Sequence, residues 1–504
     1  MSVVRKWLSH KANALLKPPA AQDPRDDEDR YFTTAIEREA RATVKTDNRQ
    51  QNTELSPMAE YKPPTSEAEF AANFSPKKPL MSDTEAYYES SRCLYCYDAP
   101  CITACPTGID IPLFIRQINS DNKDGAAKTI YESNWMGHAC GNVCPTEELC
   151  EGACVYNHSD VKPIEIGRLQ AHATTVVIRS KKKLFRTGKD TGKKIAVIGA
   201  GPAGISAACE LRMLGHAVDI FEAKAKPSGL CVYGVAPYKL TNEEALDEVA
   251  YLQEQFGFTV QYNKPINGRM DFEKLEKGYD AIFIGIGLGS TSALGIPGED
   301  KQGVIGALEF VEELRMNHHK TPIGKKVIVL GGGNTAMDAA SESCRMGADS
   351  VVIAYRRGPE EMGAYSFEFD LAKKSGAKAL FNVTPVEVMG NGSVTGVKFI
   401  RNKAAYGKIE AIPGSEFVEP CDMVLLGTGQ GKQVELLEQI SGVKLEHKSR
   451  ILDDRGRLVV NEQYQTNNPK YFAAGDAVNG GVEVVNAAAE AKKAAHGIDQ
   501  YLKR

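Results

Sequence analysis

Two stretches of the chain show the same order of apolar and polar positions. The first runs from the apolar segment Ile195–Ile198 through a glycine-rich turn and a helical pattern to Ala217–Glu222. The second runs from Lys326–Leu330 through another glycine-rich turn and a helical pattern to Ser350–Tyr355. A short apolar run, a glycine turn, a helix and a second apolar run predict a βαβ unit with parallel strands. We therefore predict two Rossmann-like domains in an α/β protein.

The N-terminal 85 residues have a different pattern. They contain the charged run Asp23–Arg30 and few aliphatic residues, so we expect an extended or disordered segment. Residues 3–16 are the exception, because apolar side chains recur there at steps of three and four with basic residues between them. This pattern predicts a short amphipathic helix, which packs on the body of the protein or touches a partner or a membrane surface.

Residues 86–185 combine short helical patterns, such as Ile111–Ile118, with loops that are rich in cysteine. We predict an all-α domain here, followed by a basic linker around Lys181–Lys194. We expect one Rossmann-like domain to be formed by two separate parts of the chain, residues 190–292 and 430–504. The second Rossmann-like domain, residues 293–429, is inserted between these two parts.

Composition sets limits on function. A chain of 504 residues is expected to form about three domains. The net charge of −4 gives no reason to expect nucleic acid as a partner. No uncharged apolar stretch reaches the roughly 18 residues of a membrane-spanning helix, so we expect none.

Cysteines supply the first chemical signal. Eight of the twelve lie in two groups, Cys93, Cys96, Cys101 and Cys105, then Cys140, Cys144, Cys150 and Cys154. Such dense thiolates suit iron–sulfur clusters, because each iron needs a soft anionic ligand. Disulfide frameworks belong to short secreted chains, and zinc sites usually pair two C-x2-C units. We therefore predict iron–sulfur clusters, and reduced thiols imply the cytoplasm or an equally reducing compartment.

The first glycine turn has the surroundings of a dinucleotide site. It comprises Gly199, Ala200, Gly201, Pro202, Ala203 and Gly204, and Glu222 follows at the end of the second strand. Its glycines allow the pyrophosphate to approach the helix N-terminus, and the acid suits a ribose hydroxyl pair. Near the C-terminus, Gly475 and Asp476 follow another apolar run, and together with Glu222 they indicate an FAD site.

The second glycine turn points to NAD(P)H. We assign nucleotide contacts to Gly332, Gly333, Asn334 and Thr335. No acid ends its second strand; instead Arg356 and Arg357 follow, whose guanidinium groups suit a 2′-phosphate. The alternative is an ordinary pair of surface arginines.

These motifs together resemble the electron-input half of the dihydropyrimidine dehydrogenase family, which includes the small subunit of glutamate synthase. The resemblance covers about residues 86–504 and rests on the cysteine runs of 92–111 and 143–154, on the two glycine turns, and on Ala474–Ala477. The first cysteine loop is continuous, whereas that of glutamate synthase is usually interrupted, which favours the pyrimidine enzyme.

The resemblance implies ligands for two interleaved [4Fe–4S] clusters. One cluster would take Cys93, Cys96, Cys101 and Cys154. The other would take Cys105, Cys144 and Cys150, with the side chain of Gln170 as fourth ligand, while Cys140 would not be a ligand. The resemblance also implies cofactor contacts from Val143, Gly229, Leu230, Lys239, Gly427, Thr428, Gly429 and Val482.

The resemblance further implies a function. NAD(P)H would pass hydride to FAD, and the flavin would pass electrons singly to the two clusters. No general acid or base is expected in this chain. A pyrimidine-reducing barrel needs about 250 residues, for which the two nucleotide domains leave no room. We therefore expect a partner subunit with an FMN-containing barrel and ferredoxin-like clusters. The alternatives are the glutamate synthase small subunit, a related NAD(P)H–ferredoxin oxidoreductase module, and a non-catalytic scaffold.

Overall fold

The computed structural model describes residues 60–504, except 160, 406–407, 441, 443–444 and 447–455. The helix predicted at 3–16 lies outside the described residues. The expectation of an extended or disordered segment up to residue 85 is wrong for its last part, because α1 (Glu67–Asn73) is helical and α2 (Asp83–Ser91) begins there. Phe70 and Phe74 of this segment are buried beside Tyr238. Two aromatic side chains thus anchor a segment that has few aliphatic ones.

The cysteine-rich part of the chain is helical, as predicted. Its remaining helices are α3 (Pro100–Ala104), α4 (Ile111–Asn119), α5 (Lys123–Ser133), α6 (Gly137–Val143) and α7 (Ile166–Arg179). Ser82 and Glu85 form a capping box at the start of α2. In α4 the buried side chains recur at steps of three and four, so one apolar face packs inward.

The first Rossmann-like sheet is five-stranded and parallel, in the order β16-β4-β1-β2-β3. Its strands are β1 (Lys194–Ile198), β2 (Ala217–Phe221), β3 (Thr259–Gln261), β4 (Ala281–Ile284) and β16 (Tyr471–Ala473). Its helices are α8 (Pro202–Met213), α9 (Leu230–Tyr233), α10 (Asn242–Phe256), α11 (Arg269–Gly278), α16 (Asp476–Asn479) and α17 (Val484–Leu502). Strand β16 pairs with β4 although nearly 200 residues separate them, so the C-terminal part completes this sheet.

A second parallel sheet is inserted between β4 and β16 in the chain, as predicted. Its order is β5-β13-β6-β7-β8, with strands β5 (Val304–Gly306), β6 (Lys326–Leu330), β7 (Ser350–Tyr355), β8 (Lys378–Phe381) and β13 (Met423–Leu426). Its helices are α12 (Ala307–Asn317), α13 (Asn334–Arg345) and α14 (Ser366–Ser375). A short helix, α15 (Val434–Leu437), follows this sheet.

Small antiparallel sheets, which we did not predict, complete the described fold. Strand β10 (Gly396–Ala405) pairs with β9 (Val383–Met389), β11 (Lys408–Ala411) and β12 (Phe417–Pro420), and β14 (Leu445–Glu446) pairs with β15 (Arg457–Leu458). Among the helices that the structure describes, none is long and apolar enough to cross a membrane.

One hydrophobic core joins the helical domain to the first sheet. Trp135, between α5 and α6, packs edge-on against Phe256 of α10, with ring centroids 4.9 Å apart. The Trp135 indole Nε1 donates a hydrogen bond to Glu210 of α8 at 2.7 Å. Burial of large aromatic side chains is a main source of packing energy. The cysteine loops are thereby placed against the first sheet.

Candidate functional site

A cleft of 510 Å³ opens at the carboxyl edge of the first sheet. This is the edge at which open parallel sheets bind their ligands, and the volume lies in the range of cofactor pockets. The predicted FAD contacts that line it are Gly199, Gly201, Pro202, Ala203, Glu222, Gly229, Leu230, Gly475, Asp476 and Val482. Residues that are far apart in sequence therefore meet in one cleft.

Two glycines of the turn at this cleft, Gly199 and Gly204, leave no space for a side chain. A Cβ on Gly204 would lie 1.9 Å from the Gly199 carbonyl oxygen, so only glycine lets α8 approach β1 this closely. Gly199 itself has φ +97° and packs on the Gly285 carbonyl. Across the cleft, a Cβ on Gly229 would lie 2.9 Å from the Gly201 Cα. The turn thus presents bare backbone and the start of α8 to the cleft.

Glu222 lies at the end of β2 and accepts two backbone hydrogen bonds. Its Oε2 accepts from the Ala200 amide and its Oε1 from the Lys224 amide, both at 2.7 Å. These bonds fix the carboxylate beside the glycine turn, and each oxygen keeps lone-pair capacity for a ligand hydroxyl. Ala200 therefore serves the site by orienting Glu222, while Ala200 and Gly204 do not line the cleft.

The opposite side of the cleft carries two further acids, Asp476 and Glu483. Burial raises the pKa of Asp476, and its Oδ1 accepts a hydrogen bond from the Val482 amide at 3.4 Å. Glu483 immediately precedes α17, and burial raises its pKa also. Sequence reasoning did not single out Glu483; its place seven residues after Asp476 was the signal available.

Lys239 is placed elsewhere than the resemblance implied. It is buried, and its Nζ lies 2.7 Å from Asp338 Oδ1 and 2.8 Å from Glu368 Oε1. It does not line the cleft. Two carboxylates from the inserted domain hold the ammonium group, so in this structure Lys239 is part of an ion-pair network between α9–α10 and the inserted domain.

The predicted nucleotide contacts gather at the carboxyl edge of the second sheet. Gly332–Thr335 follow β6, Arg356 and Arg357 follow β7, and Gly427–Gly429 follow β13, which are neighbouring parallel strands. A Cβ on Gly331 would lie 2.3 Å from the Gly427 carbonyl oxygen, so these two segments touch. Arg356 is exposed, and Arg357 is half-buried with its Nε 3.9 Å from Glu361 Oε1.

The loop after Arg357 folds back over this turn. The Ala364 amide donates to the Gly332 carbonyl at 2.9 Å, and the Tyr365 amide donates to Asn334 Oδ1 at 3.0 Å. The Tyr355 ring covers Gly332, where a Cβ would lie 2.5 Å from the ring. Tyr365, which sequence reasoning missed, is therefore held directly beside the second glycine turn.

The first cysteine group surrounds a small cavity. Cys93, Cys96, Cys101 and Cys154 line a space of 30 Å³, together with apolar side chains that include Ile115. Burial raises the pKa of the Cys101 thiol to about 12, and the neighbouring thiols of Cys93 and Cys154 add to the shift. The fold thus brings a cysteine of the second sequence group to three of the first.

Three other cysteines form a second group. Burial raises the pKa of the Cys150 thiol, and Glu151, Cys144 and Cys105 add to the shift, so the three thiols are neighbours. Gln170 is buried, and its Nε2 donates to the Gly137 carbonyl at 2.6 Å. Cys140 is fully buried one helical turn before Cys144.

This second group adjoins the cleft. Cys105, Val143 and Cys144 pack against the hydrophobic core that contains Ala203 and Cys231. Ala203 lines the cleft, and Cys231 follows Leu230, which also lines it. Val143 packs against this core but does not line the cleft.

Comparison with known proteins identifies two parts of the chain. Residues 193–491 match the family profile described as "Pyridine nucleotide-disulphide oxidoreductase", and residues 70–182 match "Dihydroprymidine dehydrogenase domain II, 4Fe-4S cluster". The chain belongs to the pyridine nucleotide-disulphide oxidoreductase family. It is an NAD(P)H-dependent oxidoreductase that combines the FAD- and nucleotide-binding domains of this family with a 4Fe–4S domain.

Relatives of this oxidoreductase match over most of their length. The small chain of glutamate synthase [NADPH] from Escherichia coli K12 is 34% identical over 85% of this chain and 96% of its own. The NAD-dependent dihydropyrimidine dehydrogenase subunit PreT from the same strain is 33% identical over 84% of this chain and 96% of its own. Mycobacterium tuberculosis FprA in complex with NADPH shares the fold, with a TM-score of 0.50, 22% identity, and coverage of 62% of this chain and 85% of its own.

The residues of this oxidoreductase fit its cofactors. The cleft offers FAD exposed backbone at Gly199 and Gly201 and a fixed carboxylate at Glu222. Four cysteines around one cavity fit a 4Fe–4S cluster, since iron prefers thiolate ligands. The flavin, when bound, supplies exchange between hydride transfer and single-electron transfer.

Proposed function

We propose that this chain is the electron-input subunit of a two-part reductase. It oxidises NAD(P)H and delivers the electrons through FAD and two [4Fe–4S] clusters to a partner subunit that reduces uracil or thymine to the 5,6-dihydropyrimidine. The observation that carries this proposal is the packing of Cys105 and Cys144 on the core that includes Ala203 of the cleft. One hydrophobic core therefore joins the cleft to two cysteines of the helical domain.

In this proposal the chain's residues have separate roles. Glu222 binds the ribose hydroxyls of FAD and Asp476 binds its ribityl chain. The start of α8 receives the pyrophosphate. Gly332–Thr335, Gly427–Gly429 and the two arginines hold NAD(P)H at the second sheet. Catalysis at the cleft is mainly positioning, because the nicotinamide must be held against the flavin and water excluded.

We assign the ligands of the two clusters by their grouping. Cys93, Cys96, Cys101 and Cys154 would hold the cluster farther from the cleft, and Cys105, Cys144, Cys150 and Gln170 the nearer one. The amide of Gln170 donates to the Gly137 carbonyl, which leaves its Oε1 as the atom available to iron. The cluster farther from the cleft would lie beside the loop that carries Tyr97, which is 99% exposed. A partner subunit would dock there to receive electrons.

The choice of a pyrimidine as final acceptor rests on the sequence resemblance and on the PreT relative, whose name describes it as a subunit. The glutamate synthase small chain is a relative of similar identity. The partner expected for the pyrimidine reaction is a subunit with an FMN-containing barrel and ferredoxin-like clusters. The two acceptors require partners of different chemistry, so one experiment separates them.

The experiment uses the native complex isolated through this chain under anaerobic conditions. We expect NAD(P)H to bleach the flavin of the isolated chain, and the complex, but not the chain alone, to reduce uracil and thymine. Turnover of 2-oxoglutarate and glutamine in place of uracil would assign the chain to glutamate synthase instead. Failure of NAD(P)H to bleach the flavin would overturn the proposal.

A further inference from the structure

Oxidation of NAD(P)H by one-electron acceptors releases a proton. The C4–H bond of the nicotinamide breaks, and the hydride carries two electrons and one proton into the cleft. If both electrons leave singly through iron–sulfur centres, NAD(P)⁺, two electrons and one proton are the products. This proton has to leave the cleft once for every nicotinamide oxidised, so a residue that takes it up there would add a base to a chain for which we expected none.

The acids that line the cleft are not equally free to accept a proton. Glu222 is held by two backbone amides, and Glu309 accepts hydrogen bonds from the backbone amide and hydroxyl of Thr291. Glu312 is paired with Lys224 at 2.5 Å. Asp476 accepts a hydrogen bond from the Val482 amide, and we assign it to the ribityl chain of FAD. Glu483 is the remaining cleft acid of the described residues.

Glu483 is oriented through one carboxylate oxygen, which leaves the other oxygen able to accept a proton. Its Oε1 accepts a hydrogen bond from the Tyr365 hydroxyl at 3.0 Å, and the described residues provide no hydrogen bond to Oε2. The side chain is half-buried, so it borders both the cleft and solvent. It immediately precedes α17, where the positive end of the helix dipole favours a carboxylate.

Tyr365 is itself fixed by its neighbours. Its amide donates to Asn334 Oδ1 at the second glycine turn, and its ring stacks on Phe367 with centroids 5.5 Å apart. The hydroxyl that orients Glu483 therefore comes from the domain that binds the nucleotide. One tyrosine joins the nucleotide turn to the cleft.

We propose that Glu483 is the catalytic base that accepts the proton left in the cleft as the electrons pass to the iron–sulfur domain, and that Tyr365 is its positioning residue. The inference rests on the proposed transfer of electrons from the flavin to the clusters. The N–H bond that hydride transfer made on the reduced flavin would break as the electrons leave, an O–H bond would form at Glu483 Oε2, and the proton would then pass to solvent, so atoms and charges balance.

The surroundings of Glu483 suit a group that gains and loses a proton. Burial raises its pKa, and Asp476 raises it further. The Tyr365 hydrogen bond and the charge of Lys239 lower it. The net effect is a pKa raised above the ordinary value of a glutamate, which makes the carboxylate a better proton acceptor.

The test compares Glu483→Gln with Glu462→Gln, which neutralises an exposed acid of the same domain. With the full-length holoprotein mixed with NADH, we expect hydride transfer to stay within twofold and cluster reduction to slow about a hundredfold in Glu483→Gln. Redox difference infrared spectra should show a carboxylic-acid band that is absent in Glu483→Gln and retained in Glu462→Gln. Unchanged cluster reduction together with an unchanged band would overturn the assignment.

Tyr365→Phe tests the positioning role. Loss of the hydroxyl removes a bond that stabilises the ionised Glu483, so the pH midpoint of cluster reduction should move upward. A merely structural loss would lower the rate at every pH without moving the midpoint, and that result would overturn the role of Tyr365. If the clusters of the unaltered protein are not reduced by NADH at all, the proposed function fails, and not only this inference.

Discussion

Lys239 Nζ lies 2.7 Å from Asp338 Oδ1, and this buried ion pair joins the first Rossmann-like domain to the inserted one. Glu368 is a second carboxylate partner at 2.8 Å, and the Tyr238 hydroxyl donates to Asp338 at 2.6 Å. Burial alone would lower the pKa of Lys239, but the two carboxylates outweigh it and raise the pKa, so the lysine stays charged. The two domains are therefore held together by charge as well as by apolar packing.

We predict that Lys239→Met lowers the free energy of unfolding by about 3–5 kcal/mol, because it leaves two carboxylates buried without their cation. Lys493→Met, at an exposed position of α17, should change it by less than about 0.5 kcal/mol. Chemical denaturation of both variants measures the difference. Equal stability of the two variants would show that the network contributes nothing.

A second prediction concerns Glu248 of α10, which is fully buried and accepts hydrogen bonds from the amide of Ala139 at 3.0 Å and the hydroxyl of Tyr131 at 3.2 Å. Burial raises its pKa from 4.5 to about 7, although hydrogen bonds from Ala139, His138 and Tyr131 oppose the shift. Since the unfolded chain releases this proton at lower pH than the folded protein, stability falls as pH rises between these values.

Glu248→Gln removes this titration. Between about pH 4.5 and 7 the unaltered protein should lose on the order of 3 kcal/mol of stability relative to the variant, with little further change above pH 7. Denaturation at a series of pH values gives the difference between the two proteins. A difference that does not vary with pH would contradict the prediction.

Gly204 offers a test of the flavin turn. A Cβ there would lie 1.9 Å from the Gly199 carbonyl oxygen, so Gly204→Ala must push α8 away from β1. We expect a loss of about 1–3 kcal/mol in stability and a lower FAD content of the purified protein. Gly268→Ala is the matched control, because a Cβ at Gly268 meets no atom within 4 Å. Full FAD content in Gly204→Ala would show that the turn tolerates the displacement.

The arginines after β7 should discriminate between nucleotides. We predict that Arg356→Ala and Arg357→Ala raise KM for NADPH about ten- to a hundredfold more than KM for NADH, since each removes a charged hydrogen-bond donor from the 2′-phosphate. Lys374→Ala, an exposed change of the same charge in α14, should leave the ratio unaltered. Steady-state kinetics with both nucleotides measure the two KM values. An equal rise in KM for NADPH and for NADH would mean that these arginines do not bind the 2′-phosphate.

Gln170 tests the assignment of the inner cluster. The anaerobically purified protein should hold about eight irons, four for each [4Fe–4S] cluster. Gln170→Ala should alter the electron paramagnetic resonance signal of one cluster only, whereas Gln117→Ala in α4 should alter neither. Zinc, or four irons, would contradict the two-cluster assignment, and unchanged spectra in Gln170→Ala would remove Gln170 from the ligands.

The features that were predictable from sequence are those in which a short segment carries its own geometric requirement. Gly204 must be glycine because of its contacts with Gly199 and Val197, which lie within the βαβ unit itself. The helix at Ile111–Asn119 follows from its apolar spacing. The α1 segment was missed because its burial depends on Tyr238, which lies more than 160 residues away.

The sequence by itself determined the chemistry of this protein: the cysteine spacing, the two glycine turns, the acids Glu222 and Asp476, and the arginine pair after the second turn indicate iron–sulfur, flavin and nucleotide binding. Only the tertiary structure decided which charged groups meet. Lys239 forms an ion pair with Asp338. Glu483 accepts a hydrogen bond from the hydroxyl of Tyr365, which lies 118 positions earlier in the chain. The physical reason is that local backbone geometry is encoded within a few residues, whereas the charge state and role of a buried side chain depend on whatever the fold packs against it.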